Sequence, residues 1–225
     1  MKVVPTLLTT DIIDLKNQLI LFQNIFNRIQ IDIADAKLVP NFTTQIKDLI
    51  NLVRENDKLI YNNTVLDFHL MVENFETEFE KIKELEKLGV TIGVVLVNAK
   101  FNTDYQKLKR RFEFKIGLDF FPESNVEEVI NTSNMNSFSS VQIMTVSPGF
   151  QGSPFLPEML KKINVLRKLG YAGEILIDGG INDQTISQID KNQNKPDILC
   201  VGSYLTKEKI GEIIENKKSQ LEAVC

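Results

Sequence analysis

Short apolar runs of strand length alternate with longer amphipathic stretches along the whole of this chain. The runs predict β-strands over Val3–Leu7, Ile29–Ile33, Thr64–Leu70, Thr91–Val97, Phe114–Leu118, Ser140–Val146, Glu174–Ile177 and Asp197–Val201. The stretches between them predict helices over Asp11–Phe26, Thr43–Asn56, Asn102–Phe112, Asn125–Asn131, Pro157–Leu169 and Asp183–Lys191, and from Lys207 to the end. A further helix, rich in Glu and Lys, starts at the cap Asn74, runs to Leu88 and is ended by Gly89. On it, Phe75, Phe79, Ile82 and Leu85 have the spacing of a buried face. Strands that alternate regularly with helices form parallel sheets joined by right-handed crossovers. Eight such units in 225 residues predict closure into an α/β (β/α)8 TIM barrel. The other topology weighed, an open doubly wound sheet, more often has five or six strands. No linker or shift in composition divides the chain, so residues 1–225 are expected to be a single TIM-barrel domain.

One strand carries an anomaly. In Ile29–Ile33 the isoleucines alternate with Gln30 and Asp32, and Ala34 continues the polar face. A carboxylate inside a short β segment is costly unless a cation, a proton or water meets it. The segment is therefore either an edge strand with a wet face or one wall of a functional interior. In a TIM barrel the site lies at the C-terminal ends of the strands. That rule selects Thr6, Gln30, Asp32, His69, Asp119 and Asp178. Asp32 and Asp178, on strands two and seven, are expected to face each other over the mouth. Three glycine turns follow strands six, seven and eight: SPGFQGSPF (Ser147–Phe155), DGG (Asp178–Gly180) and Gly202-Ser203. Glycine lets backbone N–H groups approach phosphate oxygens closely, so three adjacent turns read as a phosphate cradle rather than as tight connections alone.

Composition narrows the chemistry. The net charge is −4, with 43% hydrophobic and 25% charged residues, as in ordinary soluble proteins. The pair Arg110-Arg111 is too short to form a nucleic-acid footprint. No apolar run reaches the roughly 18 residues of a membrane span, and MKVVPTLLTT does not read as a signal peptide. Neither nucleic acid nor membrane is an expected partner. Two cysteines, Cys200 and Cys225, support no disulfide framework, and a cytoplasmic location is expected. A single histidine, His69, excludes any two-histidine metal motif within the chain.

The segments VPTLLTTD (Val4–Asp11), IDIADAKLVPN (Ile31–Asn41), DFHLMVEN (Asp67–Asn74), MTVSPGFQGSPFLPEML (Met144–Leu160), IDGGI (Ile177–Ile181) and VGS (Val201–Ser203) together resemble ribulose-phosphate 3-epimerase and its close relative D-allulose-6-phosphate 3-epimerase. The resemblance covers nearly the whole length. It implies inversion at C3 of a phosphorylated ketose, ribulose 5-phosphate or allulose 6-phosphate, by metal-assisted proton transfer. Asp32 and Asp178 match the two catalytic aspartates and also metal ligands, and His69 matches a further ligand. Thr6 stands where the family usually has a substrate-contacting serine. Gly149, Phe150, Gln151, Gly152, Gly179, Gly180, Gly202 and Ser203 match the phosphate-binding turns. The implied cofactor is a divalent ion (zinc, iron, manganese, cobalt or magnesium), and the implied assembly is a homo-oligomer. The resemblance implies no role for Asp119. The chain also departs from the family. Gln30 replaces a metal-ligand histidine and offers at most a neutral carbonyl oxygen. Ala34 and Ala36 stand where methionine and glycine are usual, and Val97-Asn98 where strand four usually offers a histidine. Three readings follow: an active epimerase with an altered metal site, a sugar-phosphate-binding relative without turnover, or other chemistry on the same scaffold.

Overall fold

The structure, a computed structural model, describes residues 1–56, 59, 64–101, 103–132, 137–150 and 152–224. The strands are β1 (Lys2–Leu7), β2 (Arg28–Ala34), β3 (Val65–Met71), β4 (Thr91–Asn98), β5 (Lys115–Phe120), β6 (Ser140–Met144), β7 (Glu174–Asp178) and β8 (Ile198–Val201). Each pairs in parallel with the next, and β8 pairs with β1, so the sheet closes into a barrel. The helices are α1 (Ile12–Phe22), α2 (Ile46–Glu55), α3 (Phe75–Lys87), α4 (Tyr105–Arg111), α5 (Val126–Thr132), α6 (Lys161–Lys168), α7 (Ile186–Asp190), α8 (Ser203–Thr206) and α9 (Gly211–Ala223). No helix among the described residues is long and apolar enough to cross a membrane.

Period-two alternation sorts each strand between two cores. Ile29, Ile31 and Ile33 point outward into the large cluster that holds Leu15, Leu19 and Phe22 of α1. Phe75, Phe79, Ile82 and Leu85 of α3 join that cluster, as their spacing predicts. The opposite face of β2 lines the barrel interior. Closure overturns the wet-edge reading of β2: it lies between β1 and β3, and Asp32 is only 6% exposed.

The interior is polar at both ends and apolar between. At the N-terminal end, Arg28 Nε lies 2.5 Å from Asp67 Oδ2, and its Nη1 lies 3.0 Å from Glu174 Oε2. The Val94 N–H donates to Asp67 Oδ1 at 2.8 Å. Gly93 makes room for this plug, since a Cβ there would stand 2.1 Å from Asp67 Oδ1. Above it sits a small cluster of Val4, Leu176, Ile198 and Cys200.

Several element ends fall elsewhere than the pattern predicts, two of them for reasons of side-chain bonding. The first helix stops at Phe22 rather than Phe26, where the Asn24 amide caps the Ile20 carbonyl at 2.8 Å. The second starts at Ile46 rather than Thr43, because Thr43 is tied to β2: its Oγ1 accepts from the Ala34 N–H at 2.9 Å and donates to the Asp32 carbonyl at 3.0 Å. The strand expected to reach Val146 ends at Met144. The segment expected as one helix over Pro157–Leu169 opens as a 3-10 turn (Pro157–Leu160) before α6. The short α8 precedes the last helix, which begins at Gly211 rather than Lys207. Asn102 and Cys225 lie outside the described residues.

Candidate active site

The site grows from side chains of inward parity near the C-terminal ends of β2, β3 and β7. Asp32 on β2 and His69 on β3 are register partners. Asp178 ends β7, which is separated from β2 by β1 and β8. The two aspartates thus stand three strands apart around the ring, not at opposite poles, and their side chains converge over its floor. His69 Nδ1 lies 3.3 Å from Asp32 Oδ1 and 3.9 Å from Asp178 Oδ2. One ligand atom from each of Asp32, His69 and Asp178 lies within 4.8 Å of the others, all three residues buried.

Gln30 lies between the carboxylates. Its amide Nε2 donates to Asp178 Oδ2 at 2.8 Å and to Asp32 Oδ1 at 3.3 Å. The Gln142 amide donates to the same Asp178 oxygen at 3.3 Å. The carbonyl ends of both glutamines turn to Cys200 Sγ, 3.5 and 3.6 Å away. In this arrangement the Gln30 amide faces the carboxylates as a donor, because its oxygen there would meet two anions.

Electrostatics follow from burial and these neighbours. Burial raises Asp178 well above the usual carboxylate range, and Asp32 nearby adds to the rise. Burial alone would lower His69, but Asp119 and Asp32 outweigh it and hold the imidazole well above its ordinary value. Neither ring nitrogen makes an aligned hydrogen bond. A buried imidazole nitrogen that faces two carboxylate oxygens without such a bond suits a cation. Two ligands about 2.1 Å from one ion stand no more than about 4.2 Å apart, and the 3.3 and 3.9 Å separations from Nδ1 meet that limit. With all three ligand atoms within 4.8 Å of one another, Asp32, His69 and Asp178 offer the donor set of a divalent ion.

A cavity opens above this floor. Thr6, Asp32 and Asp178 line its base, and the Thr6 hydroxyl, 2% exposed, has no hydrogen-bond partner. The loop after β6 contributes Gly149, Phe150 and Gly152; the turn after β7, Gly179 and Gly180; the turn after β8, Gly202 and Ser203. Gln151 lies outside the described residues. His69 does not line the cavity; it sits below, fully buried, and touches the carboxylates.

The turns are held by specific bonds. Thr145 receives the β7 end: its N–H donates to the Asp178 carbonyl at 2.7 Å and its hydroxyl to the Gly179 carbonyl at 2.6 Å. Gly179 adopts φ +111°, and a Cβ there would stand 2.4 Å from Val146. The Asn41 amide donates to the Gly149 carbonyl and so joins the loops after β2 and β6. Ala36, in the first of these loops, takes a left-handed φ of 61°.

Two further residues reach this floor. Asp119, selected by its strand end although the resemblance implies no role for it, has its Oδ2 3.0 Å from His69 Nε2. Gln142 is not among the residues that the strand-end rule selects. The parity that selected Asp32 also selects both, since Gly117 and Asp119 share one face of β5, and Ser140, Gln142 and Met144 one face of β6.

Residues 2–206 match the ribulose-phosphate 3 epimerase family. The chain is 29% identical over 195 residues to the cytoplasmic isoform of ribulose-phosphate 3-epimerase from Oryza sativa subsp. japonica, a match covering 86% of this chain and 82% of the relative. It is 28% identical over 213 residues to ribulose-phosphate 3-epimerase from Helicobacter pylori (strain ATCC 700392 / 26695), covering 93% and 92%. Among solved structures it is similar to 3-hexulose-6-phosphate synthase from Salmonella typhimurium, with 12% identity, a TM-score of 0.63 and coverage of 100% and 98%. It is also similar to a mutant tryptophan synthase α-subunit from Pyrococcus furiosus, with 14% identity, a TM-score of 0.67 and coverage of 99% and 98%. At those identities the structural likeness is one of fold.

Proposed function

Since the chain belongs to the ribulose-phosphate 3-epimerase family, we propose that it is a carbohydrate-phosphate epimerase that inverts C3 of a phosphorylated ketose, either ribulose 5-phosphate or allulose 6-phosphate, with Asp32 and Asp178 as its acid–base pair. The observation that carries this is the convergence of those two buried carboxylates at the base of a glycine-walled cavity. Inversion needs a proton removed from one face of a carbon and returned to the other. A single fixed base returns it to the side it came from, so two groups on different strands are required. In this reading one aspartate takes the C3 proton while the other, protonated, delivers one to the opposite face.

The Gln30 amide, shared by both carboxylates, fixes their spacing and offsets their repulsion. The unpartnered Thr6 hydroxyl is free to bind a substrate oxygen. The backbone N–H groups of the Gly149–Gly152, Gly179-Gly180 and Gly202-Ser203 turns take the phosphate, as three convergent glycine turns on one wall favour. Asp32, His69 and Asp178 would hold a divalent ion, which supplies Lewis-acid stabilisation of charge developing on the substrate oxygens.

The test is proton magnetic resonance of each ketose phosphate in heavy water with the purified protein and added Mn²⁺, Co²⁺ or Zn²⁺, the product being quenched and freed of metal before measurement. Deuterium should enter at C3 as the epimer forms. Asp32→Asn and Asp178→Asn should each slow turnover by about 10²–10⁴-fold. Binding of a ketose phosphate with no exchange at C3 under any of these metals would show a sugar-phosphate-binding relative instead.

A further inference from the structure

We propose that Asp119 is a positioning residue for the metal site, holding the His69 ring through Nε2 so that Nδ1 stays directed at Asp32 and Asp178. The proposal rests on the reading of Asp32, His69 and Asp178 as that site.

His69 projects from β3 and Asp119 from β5, with β4 between, so their contact crosses the barrel interior. Nε2 lies 3.0 Å from Asp119 Oδ2, while Nδ1 lies 3.3 Å from Asp32 Oδ1. The ring is fully buried, so carboxylates on both sides decide its orientation. A neutral imidazole has one N–H and one lone pair. With an ion held between the Nδ1 lone pair and the two aspartates, the proton is left on Nε2, where Asp119 Oδ2 stands within reach at 3.0 Å. The other tautomer would set a lone pair against the Asp119 carboxylate. A flipped ring would set Cε1 instead of Nε2 against Asp119 and Cδ2 instead of Nδ1 against Asp32, losing both contacts.

Asp119 is not itself among the converging ligand atoms and does not line the cavity, so a direct role toward ion or substrate does not account for it. Nor does stability. A buried carboxylate is costly to desolvate, and apolar replacement of buried ion pairs is often neutral or stabilising. Its other nearby donor is the amide of Asn98, its register partner on β4. An acid at this depth is explained by a carboxylate behind a metal-bound imidazole, which fixes the ring and raises its basicity.

The experiment compares wild type, Asp119→Asn and Asp119→Ala. Co²⁺ affinity is measured by visible absorption against a competing chelator, and the imidazole N–H is observed in the Zn²⁺-loaded, ¹⁵N-histidine-labelled protein. His69 is the only histidine, so that spectrum needs no assignment. The alanine variant should bind Co²⁺ about 10–100-fold more weakly, and asparagine should weaken it by a smaller factor. The wild-type N–H should be downfield and slow to exchange, move upfield with asparagine, and be lost to exchange with alanine. Asparagine keeps the shape of aspartate, so it carries the test if the alanine variant does not fold. Unchanged affinity and an unchanged N–H resonance in the variants would overturn the role of Asp119 with the metal site intact. If wild type binds no Co²⁺, the metal-site reading fails, and this proposal with it.

Discussion

Gln30 shows how one side chain sets the character of the floor. Its amide donates to both Asp32 and Asp178, and its oxygen accepts from Cys200, so every polar end of the residue is engaged. Gln30→Leu keeps the volume and removes the donors, leaving two neighbouring carboxylates with one fewer partner each. Leaving a buried acceptor unsatisfied costs about 1–3 kcal/mol. Urea denaturation of the metal-free variant should show a loss in that range at neutral pH; equal stability would mean the amide is not holding the pair. The presence of Gln30, Asp32, His69 and Asp178 was legible in the sequence, because parity and strand ends select them. The direction of the Gln30 amide was not, because it depends on an oxygen supplied from β7.

At the scale of single elements, backbone conformation divides the two loops that frame the cavity. Gly179 combines φ +111° with a Val146 contact that excludes a Cβ. Gly179→Ala should therefore destabilise the protein by about 1–3 kcal/mol and weaken binding of a phosphate ester. Ala36 is the converse, an alanine already in the left-handed region at φ 61°. Ala36→Gly should relieve up to about 1 kcal/mol of that strain. Thermal melts of both variants check the pair, and opposite signs are expected. Strand positions were readable because apolar alternation is a local property. Helix starts were less so. Thr43 has the look of a helix cap, yet its hydroxyl is bound to the β2 backbone, and that bond exists only once β2 is in place. The strand end selects Asp119, but its partner is not legible for a related reason: His69 is brought against it from β3 only when the barrel closes.

For the molecule as a whole, the barrel carries an ionic plug at the end away from the cavity. Burial pushes the Asp67 carboxyl up from its ordinary 3.8 to about 6, although Arg28 pulls it down. Because the folded value is the higher, the native state holds the proton more tightly between the two. The stability from this group is fully present below about pH 3.8 and lost as pH rises through about 6, in total about 3 kcal/mol. Asp67→Asn cannot titrate and should lack this slope. The difference in unfolding free energy between wild type and variant should change by about 2.4 kcal/mol between pH 4 and pH 7, favouring wild type at the acid end. A difference independent of pH would show that Arg28 keeps Asp67 ionised throughout.

The order of residues determined that eight strands alternate with helices, and that polar side chains fall on one face of β2, because both are matters of local period and burial. It also determined the glycine turns, whose backbones need freedom that other residues lack. Only the closed barrel decided which of those polar side chains meet. Asp32 and Asp178 lie 146 positions apart along the chain, and β1 and β8 bring their strands around to one floor. The contacts of Gln30 with Asp178, His69 with Asp119 and Arg28 with Glu174 all cross the barrel interior. Their geometry follows from the closure of the ring, which no local pattern along the chain encodes.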